Sequence, residues 1–190
     1  MPGIPVTHRD RASSVAFITG HESSEKSSSS IAWEHLTKGI DTLVFYMGVH
    51  NLPRIVQQLL KNGKSPETPV ALIRWATTSK QKTVTGTLQT IQERAIGENM
   101  KPPAIIVVGE VVSLRPTLRW FEKHTLFGKR IINTRLRSQK SLLSEKLSEL
   151  GADVIELPTI EIKPFSQGKD PHLLIEQSIR LERLFLLKGN

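Results

Sequence analysis

Apolar residues along this chain fall into two rhythms: short continuous runs of strand length, and longer stretches in which they recur every three to four positions. Val15 to Thr19 reads as a strand. The ten residues His21 to Ser30 hold six serines and no apolar residue, which predicts an exposed loop. Ile31 to Lys38 predicts a short helix around Trp33 and Leu36, closed by Gly39. Thr42 to Tyr46 (TLVFY) is a buried strand by length and composition. Leu52, Ile55, Val56, Leu59 and Leu60 then lie on one helical face, with Asn51 as N-cap, Pro53 in the first turn and Gly63 at the end. Pro69 to Trp75 is the next strand and Thr83 to Gly86 a short edge strand. A helix follows from Thr87 through Leu88, Ile91 and Ala95, stopped by Lys101-Pro102-Pro103. Ala104 to Val108 (AIIVV) is the most strand-like run of all. Up to about Lys123 this pattern predicts one α/β unit with a mostly buried sheet.

His124 to Gly128 breaks the pattern. Lys129 to Thr134 then reads as a strand, Gln139 to Leu150 as a helix capped by Gly151, and Ala152 to Leu157 as a further strand. This is one β-α-β element, expected to be parallel and right-handed. Phe165 to Asp170 is turn-like and His172 to Leu187 helical. A single such element with one trailing helix cannot cover both faces of its sheet, so the second unit reads as incomplete.

Composition narrows the setting. The chain has 190 residues, 38% of them apolar, enough for a packed core. It has no cysteine, hence no disulfide, thiolate nucleophile or Cys-type zinc site. No apolar run approaches the ~20 residues that span a bilayer, and Met1-Pro2-Gly3-Ile4-Pro5 lacks a signal-peptide layout. The expectation is a soluble, cytoplasmic protein without a membrane partner. Net charge is +8, and Leu114 to Lys146 carries nine Lys or Arg against two Glu. Such a stretch suits an anionic partner, either nucleic acid or a polycarboxylate or phosphate ligand; the alternative is a solvated face beside a linker.

Candidate chemistry is sparse. Six histidines are scattered without metal-ligand spacing, and there is no G-x-G-x-x-G, P-loop or G-x-S-x-G. No metal site and no catalytic residue is assigned. Two turns stand out. Tyr46-Met47-Gly48 lies at the carboxyl end of a buried strand, where α/β sheets bind ligands; its glycine would admit a ligand to the backbone and its Met offers an adaptable apolar wall. Trp75-Ala76-Thr77-Thr78 ends the next strand with small residues. The alternative is that both are ordinary strand-to-helix turns.

The runs Gly3-Ile4-Pro5-Val6-Thr7-His8-Arg9, Ser14 to His21, Thr42 to Gly48 and Pro102 to Val112 occur in order, with Thr68-Pro69-Val70-Ala71, Gln81, Gly86-Thr87-Leu88 and Trp120-Phe121 among them. Together they resemble the uroporphyrinogen-III C-methyltransferases of the tetrapyrrole methylase family over roughly Pro2 to His124. The resemblance implies transfer of methyl groups from S-adenosylmethionine to C-2 and C-7 of uroporphyrinogen III, giving precorrin-2 for sirohaem and cobalamin. It implies two α/β domains with the cofactor in the cleft between them, and a homodimer. By the same resemblance Met47 is a cofactor-contacting residue and Ala76 contacts cofactor through its main chain, with Tyr46, Thr77 and Ala104 as neighbours. Thr7, His8 and Arg9 fall on the substrate side. The glycine-rich N-terminal domain and the acid/base residues of the family are missing from the sequence, so the expectation is a fragment or split half that needs a separate N-terminal half and is inactive alone.

Gly128 to Arg135, Gln139, Leu147, Leu150-Gly151-Ala152 and Leu157 to Ile162 resemble the opening of uroporphyrinogen-III synthase. The expected fold is therefore α/β: a methylase C-terminal domain over residues 1–124, then a truncated synthase-like start over 125–190. A non-catalytic remnant of such a fusion and a basic nucleic-acid-binding module are the alternatives.

Overall fold

The computed structural model describes residues 3–20, 31–135 and 141–159. Five strands form one sheet: β1 (Val15–Thr19), β2 (Thr42–Tyr46), β3 (Pro69–Arg74), β4 (Lys82–Thr87) and β5 (Ala104–Val108), in the order β1-β2-β5-β3-β4. β1 runs parallel to β2, whereas β5 is antiparallel to both β2 and β3 between which it lies. β2 and β3 therefore point the same way, and both end on the sheet edge where β5 begins.

Alternation along each strand sends side chains to two faces. Leu43, Phe45, Val70, Leu72, Ile106 and Val108 pack under the helices α1 (Trp33–Gly39), α2 (Leu52–Lys61) and α3 (Ile91–Gly97), against Trp33, Ile55, Leu59 and Ile91. Val44, Ala71, Ile73 and Val107 face the other way and are covered by Ile4 and Ala12 of the N-terminal segment and by Val111 and Val112. Those last two sit in a 3-10 turn, Glu110–Leu114, that leads into α4 (Arg115–Leu118).

Several boundaries differ from the sequence expectations for local reasons. α2 opens at Leu52 as expected, but Asn51 makes no side-chain cap; its amide donates instead to the Gly20 carbonyl at 2.8 Å, tying the end of β1 to the start of α2. Gly63 does close α2, at φ 96°, with its N–H on Leu60 and that of Lys64 on Leu59. α3 begins at Ile91 rather than Thr87: Thr87 still pairs with Pro69 in the sheet, and its N–H donates to the Thr90 hydroxyl at 3.0 Å. Asn99, at φ 47°, closes α3 before the prolines are reached. Trp75 leaves β3 because its backbone turns to φ 49°.

Beyond a short 3-10 turn, Phe121–Lys123, β6 (Arg130–Asn133) and β7 (Asp153–Glu156) pair in parallel across α5 (Ser141–Glu149), the expected β-α-β element. The serine-rich loop at 21–30, the turn at 165–170 and the helix expected over 172–187 lie outside the described residues. Among the described residues no helix is long and apolar enough to cross a membrane.

The basic stretch is partly paired within the fold. The buried Arg115 grips both oxygens of Glu122, at 2.5 and 2.6 Å, and Arg130 pairs with Asp153 at 2.7 Å. Far from the converging strand ends, the Asp41 carboxylate accepts four hydrogen bonds of 2.9–3.0 Å from the amides and hydroxyls of Ser13 and Ser14, which hold its pKa down at about 2.

Candidate functional site

Because β2 and β3 stop on the same edge and flank β5, the loops that follow them meet across the first residue of β5. The register shows it: Arg74 lies opposite Ala104, and Phe45 opposite Ile106. A concavity of about 560 Å³ opens there, within the ~300–1,000 Å³ usual for small-molecule sites. Tyr46, Met47, Val49 and His50 come from the end of β2 and the turn after it. Ile73, Trp75 and Ala76 come from β3 and its turn, and Pro102, Pro103, Ala104 and Ile105 from the start of β5.

The backbone around it is unusual. Among the described residues, Met47, Trp75, Thr77 and Asn99 are the non-glycine residues with positive φ, at 53°, 49°, 62° and 47°. Asn99 is a helix cap, where this conformation is ordinary. The other three belong to the two turns at the concavity, and a β-branched Thr at φ 62° is rare. Such residues cost about 1–3 kcal/mol each and persist where the surroundings fix them. Hydrogen bonds do so at the second turn: the Thr77 N–H donates to Gln81 Oε1 at 2.7 Å, and the Thr78 hydroxyl donates to the Trp75 carbonyl at 2.8 Å.

The wall is mostly apolar, with Tyr46 and His50 as its titratable side chains among the described residues. Met47, Tyr46 and Trp75 are exposed despite their size; Met47 is 65% accessible. The Arg74 guanidinium lies 3.7 Å from the Trp75 ring centroid, a cation–π contact that steadies the indole. Small side chains at Ala76 and Ala104 keep the centre open. No three potential metal ligands cluster among the described residues.

The structure thus brings Met47, Ala76, Tyr46 and Ala104 to one concavity. Thr77 does not line it. His8 and Arg9 lie in a turn closed by reciprocal bonds between His8 and Ala12, with Thr7 just before it, and the His8 Nδ1 accepts the Asp10 N–H at 3.2 Å. None of the three lines the concavity. The turn's neighbours Ile4, Val6 and Ala12 pack into the same face of the sheet as Ala76 and Ile105.

Gly48 serves a different purpose from the one its position suggested. It is buried, and a Cβ there would stand 2.9 Å from Ile55 Cδ1 and 3.0 Å from Ile106 Cδ1; one on Gly20 would stand 2.7 Å from Gly48 Cα. Both glycines allow close packing under the turn instead of ligand access. Sequence reasoning passed over Pro102, Pro103 and His50 as wall residues. The prolines read as a helix stop, and only their place just before β5 could have marked them.

Residues 2–92 match the family model of the tetrapyrrole (corrin/porphyrin) methylases. Over 156 residues the chain is 46% identical to a uroporphyrinogen-III C-methyltransferase of Bacillus subtilis (strain 168), covering 82% of this chain and 32% of that one. Over 111 residues it is 53% identical to a uroporphyrinogen-III C-methyltransferase of Priestia megaterium, covering 58% and 46% respectively. The chain therefore spans about a third to a half of these relatives. A solved cobalt precorrin-4 methyltransferase shares the methylase fold with a TM-score of 0.51 at 18% identity, over 57% of this chain and 45% of its own.

Proposed function

We propose that the methylase segment supplies one wall of the donor site of an S-adenosylmethionine-dependent uroporphyrinogen-III C-methyltransferase. The observation that carries the reading is the convergence of the Met47 and Ala76 turns on a single apolar concavity. The residues suit such a donor. Adenine is flat and weakly polar, and Trp75 with Pro102 and Pro103 offers flat apolar faces of matching kind. A sulfonium is a soft cation; the polarizable thioether of Met47 and the aromatic faces of Tyr46 and Trp75 are the groups here that would sit well beside it. Bound there, the donor supplies an electrophilic methyl group, and a pyrrole carbon of the substrate supplies the nucleophile. The protein's part in such a step is alignment and exclusion of water, which needs neither metal nor side-chain nucleophile.

In this reading the exposed faces of Met47, Tyr46 and Trp75 are covered by the family's N-terminal domain. Thr7, His8 and Arg9, on the face shared with Ala76, take the substrate side, where Arg9 suits its carboxylates. Thr77 acts through the turn instead of through contact. The assembled enzyme is a homodimer of the cytoplasm. Residues 125–190 are assigned to the start of a uroporphyrinogen-III synthase-like domain; the 156-residue match to the Bacillus protein is longer than the methylase unit and supports a fused partner.

Co-expression with a methylase N-terminal domain tests the proposal. The expected result is a co-purifying complex that moves labelled methyl groups from S-adenosylmethionine to uroporphyrinogen III. No complex and no label transfer would overturn the reading.

A further inference from the structure

The Trp75–Thr78 turn is held from outside by a chain of buried polar contacts that leads away from the concavity. Gln81 is 7% exposed, and the two ends of its amide face opposite partners. Its Oε1 accepts the Thr77 N–H at 2.7 Å, while its Nε2 donates to Glu122 Oε1 at 2.7 Å. Glu122 is itself fixed by the Arg115 Nη2, which reaches both carboxylate oxygens, and by the Thr83 hydroxyl at 3.2 Å. Arg115 is 9% exposed. The main chain adds a second clasp, with the Gln81 N–H on the Thr78 carbonyl at 3.0 Å.

We propose that Gln81 is the positioning residue of the donor wall, carrying the rigidity of the Arg115–Glu122 pair to the Ala76–Thr77 peptide. This rests on the donor-site reading above. The peptide unit is planar, so pinning the Thr77 N–H also fixes the direction of the Ala76 carbonyl on its other side. Ala76 is a wall residue with almost no side chain, so the orientation of that peptide is what it offers a ligand. Glutamine is the right residue for the link because it must accept at one end and donate at the other. A glutamate at position 81 would set one carboxylate against another, and a methionine would fill the space while making neither bond.

The experiment uses the full chain. In the unaltered protein the Thr77 amide should exchange its hydrogen far more slowly than an exposed turn amide; exchange at the rate of an unstructured chain would overturn the proposal without any variant. Gln81→Met and Gln81→Glu are then titrated with S-adenosylhomocysteine, next to Leu59→Ala, a core variant on the opposite sheet face. The expected result is affinity about tenfold weaker in both Gln81 variants, the scale of a lost buried hydrogen bond, with displaced Ala76 and Thr77 amide resonances. Leu59→Ala should melt earlier yet bind, while folded, as the unaltered chain does. Equal affinity in Gln81→Met, or an equal loss in Leu59→Ala, would show that the network only stabilises. If the unaltered chain does not bind S-adenosylhomocysteine, the donor-site reading fails, and the exchange and resonance measurements still decide whether Gln81 holds the turn.

Discussion

Met47 and Trp75 adopt the same uncommon backbone, φ 53° and 49°, each at the first position after one of two strands that run in the same direction. β5 lies between those strands, so the two kinks turn their chains out of the sheet on either side of Ala104. The repetition gives a wall with two edges and an open centre, built from turns whose strain the surrounding hydrogen bonds hold in place.

Met47→Ala separates ligand contact from stability. The side chain is 65% exposed, so its loss should leave the thermal midpoint nearly unchanged. Burial of a Met side chain by a ligand is worth about 1.5–3 kcal/mol. S-adenosylhomocysteine affinity measured by calorimetry should therefore fall by about tenfold or more.

Filling the centre is the converse change. Ala76→Leu places a branched side chain in the concavity and should abolish binding while the far-ultraviolet circular dichroism spectrum stays unchanged. Retained affinity would mean that the ligand lies elsewhere.

Gly48→Ala should act on the fold first. The added methyl group meets Ile55 and Ile106 at 2.9 and 3.0 Å, an overpacking expected to cost about 1–3 kcal/mol in urea unfolding. Gly20→Ala should cost more, since there the obstacle is backbone, which cannot rotate away.

Asp41 gives a pH signature. Its folded pKa of about 2 lies below the ordinary 3.8, so its stabilising contribution is complete above about pH 4 and disappears as pH falls through 2. An Asp41→Asn chain should be less stable than the unaltered protein at neutral pH, and the difference should be much smaller at pH 2. Paired urea titrations at the two pH values measure it; exposure of the carboxylate to solvent keeps the difference small.

Breaking the Arg115–Glu122 pair should be costlier. Glu122→Ala leaves a guanidinium with one-tenth side-chain exposure facing no carboxylate, a change of about 3 kcal/mol. Chemical denaturation of the variant checks this.

Much of this was legible in the sequence because it depends on local patterns. The apolar runs at 42–46, 69–74 and 104–108 became central strands, and the periodicity of Leu52 to Leu59 became the face of α2 on the core. The two turns were also visible, as small or flexible residues after strands. What was not legible is non-local. Strand order decides that the turns meet, and no periodicity announces that β5 inserts between β2 and β3. Gln81 and Glu122, 41 positions apart, carry no signal of their contact. Gly48 was misread for a related reason: its need comes from Ile55 and Ile106, which only the packed sheet brings near.

The most direct test of the donor wall follows backbone amide resonances of the unaltered chain during titration with S-adenosylhomocysteine into the millimolar range. The account predicts perturbations confined to residues 46–50, 75–78 and 104–106. Perturbations centred instead on Arg94, Arg115 and Arg119, or none at saturating concentration, would contradict it.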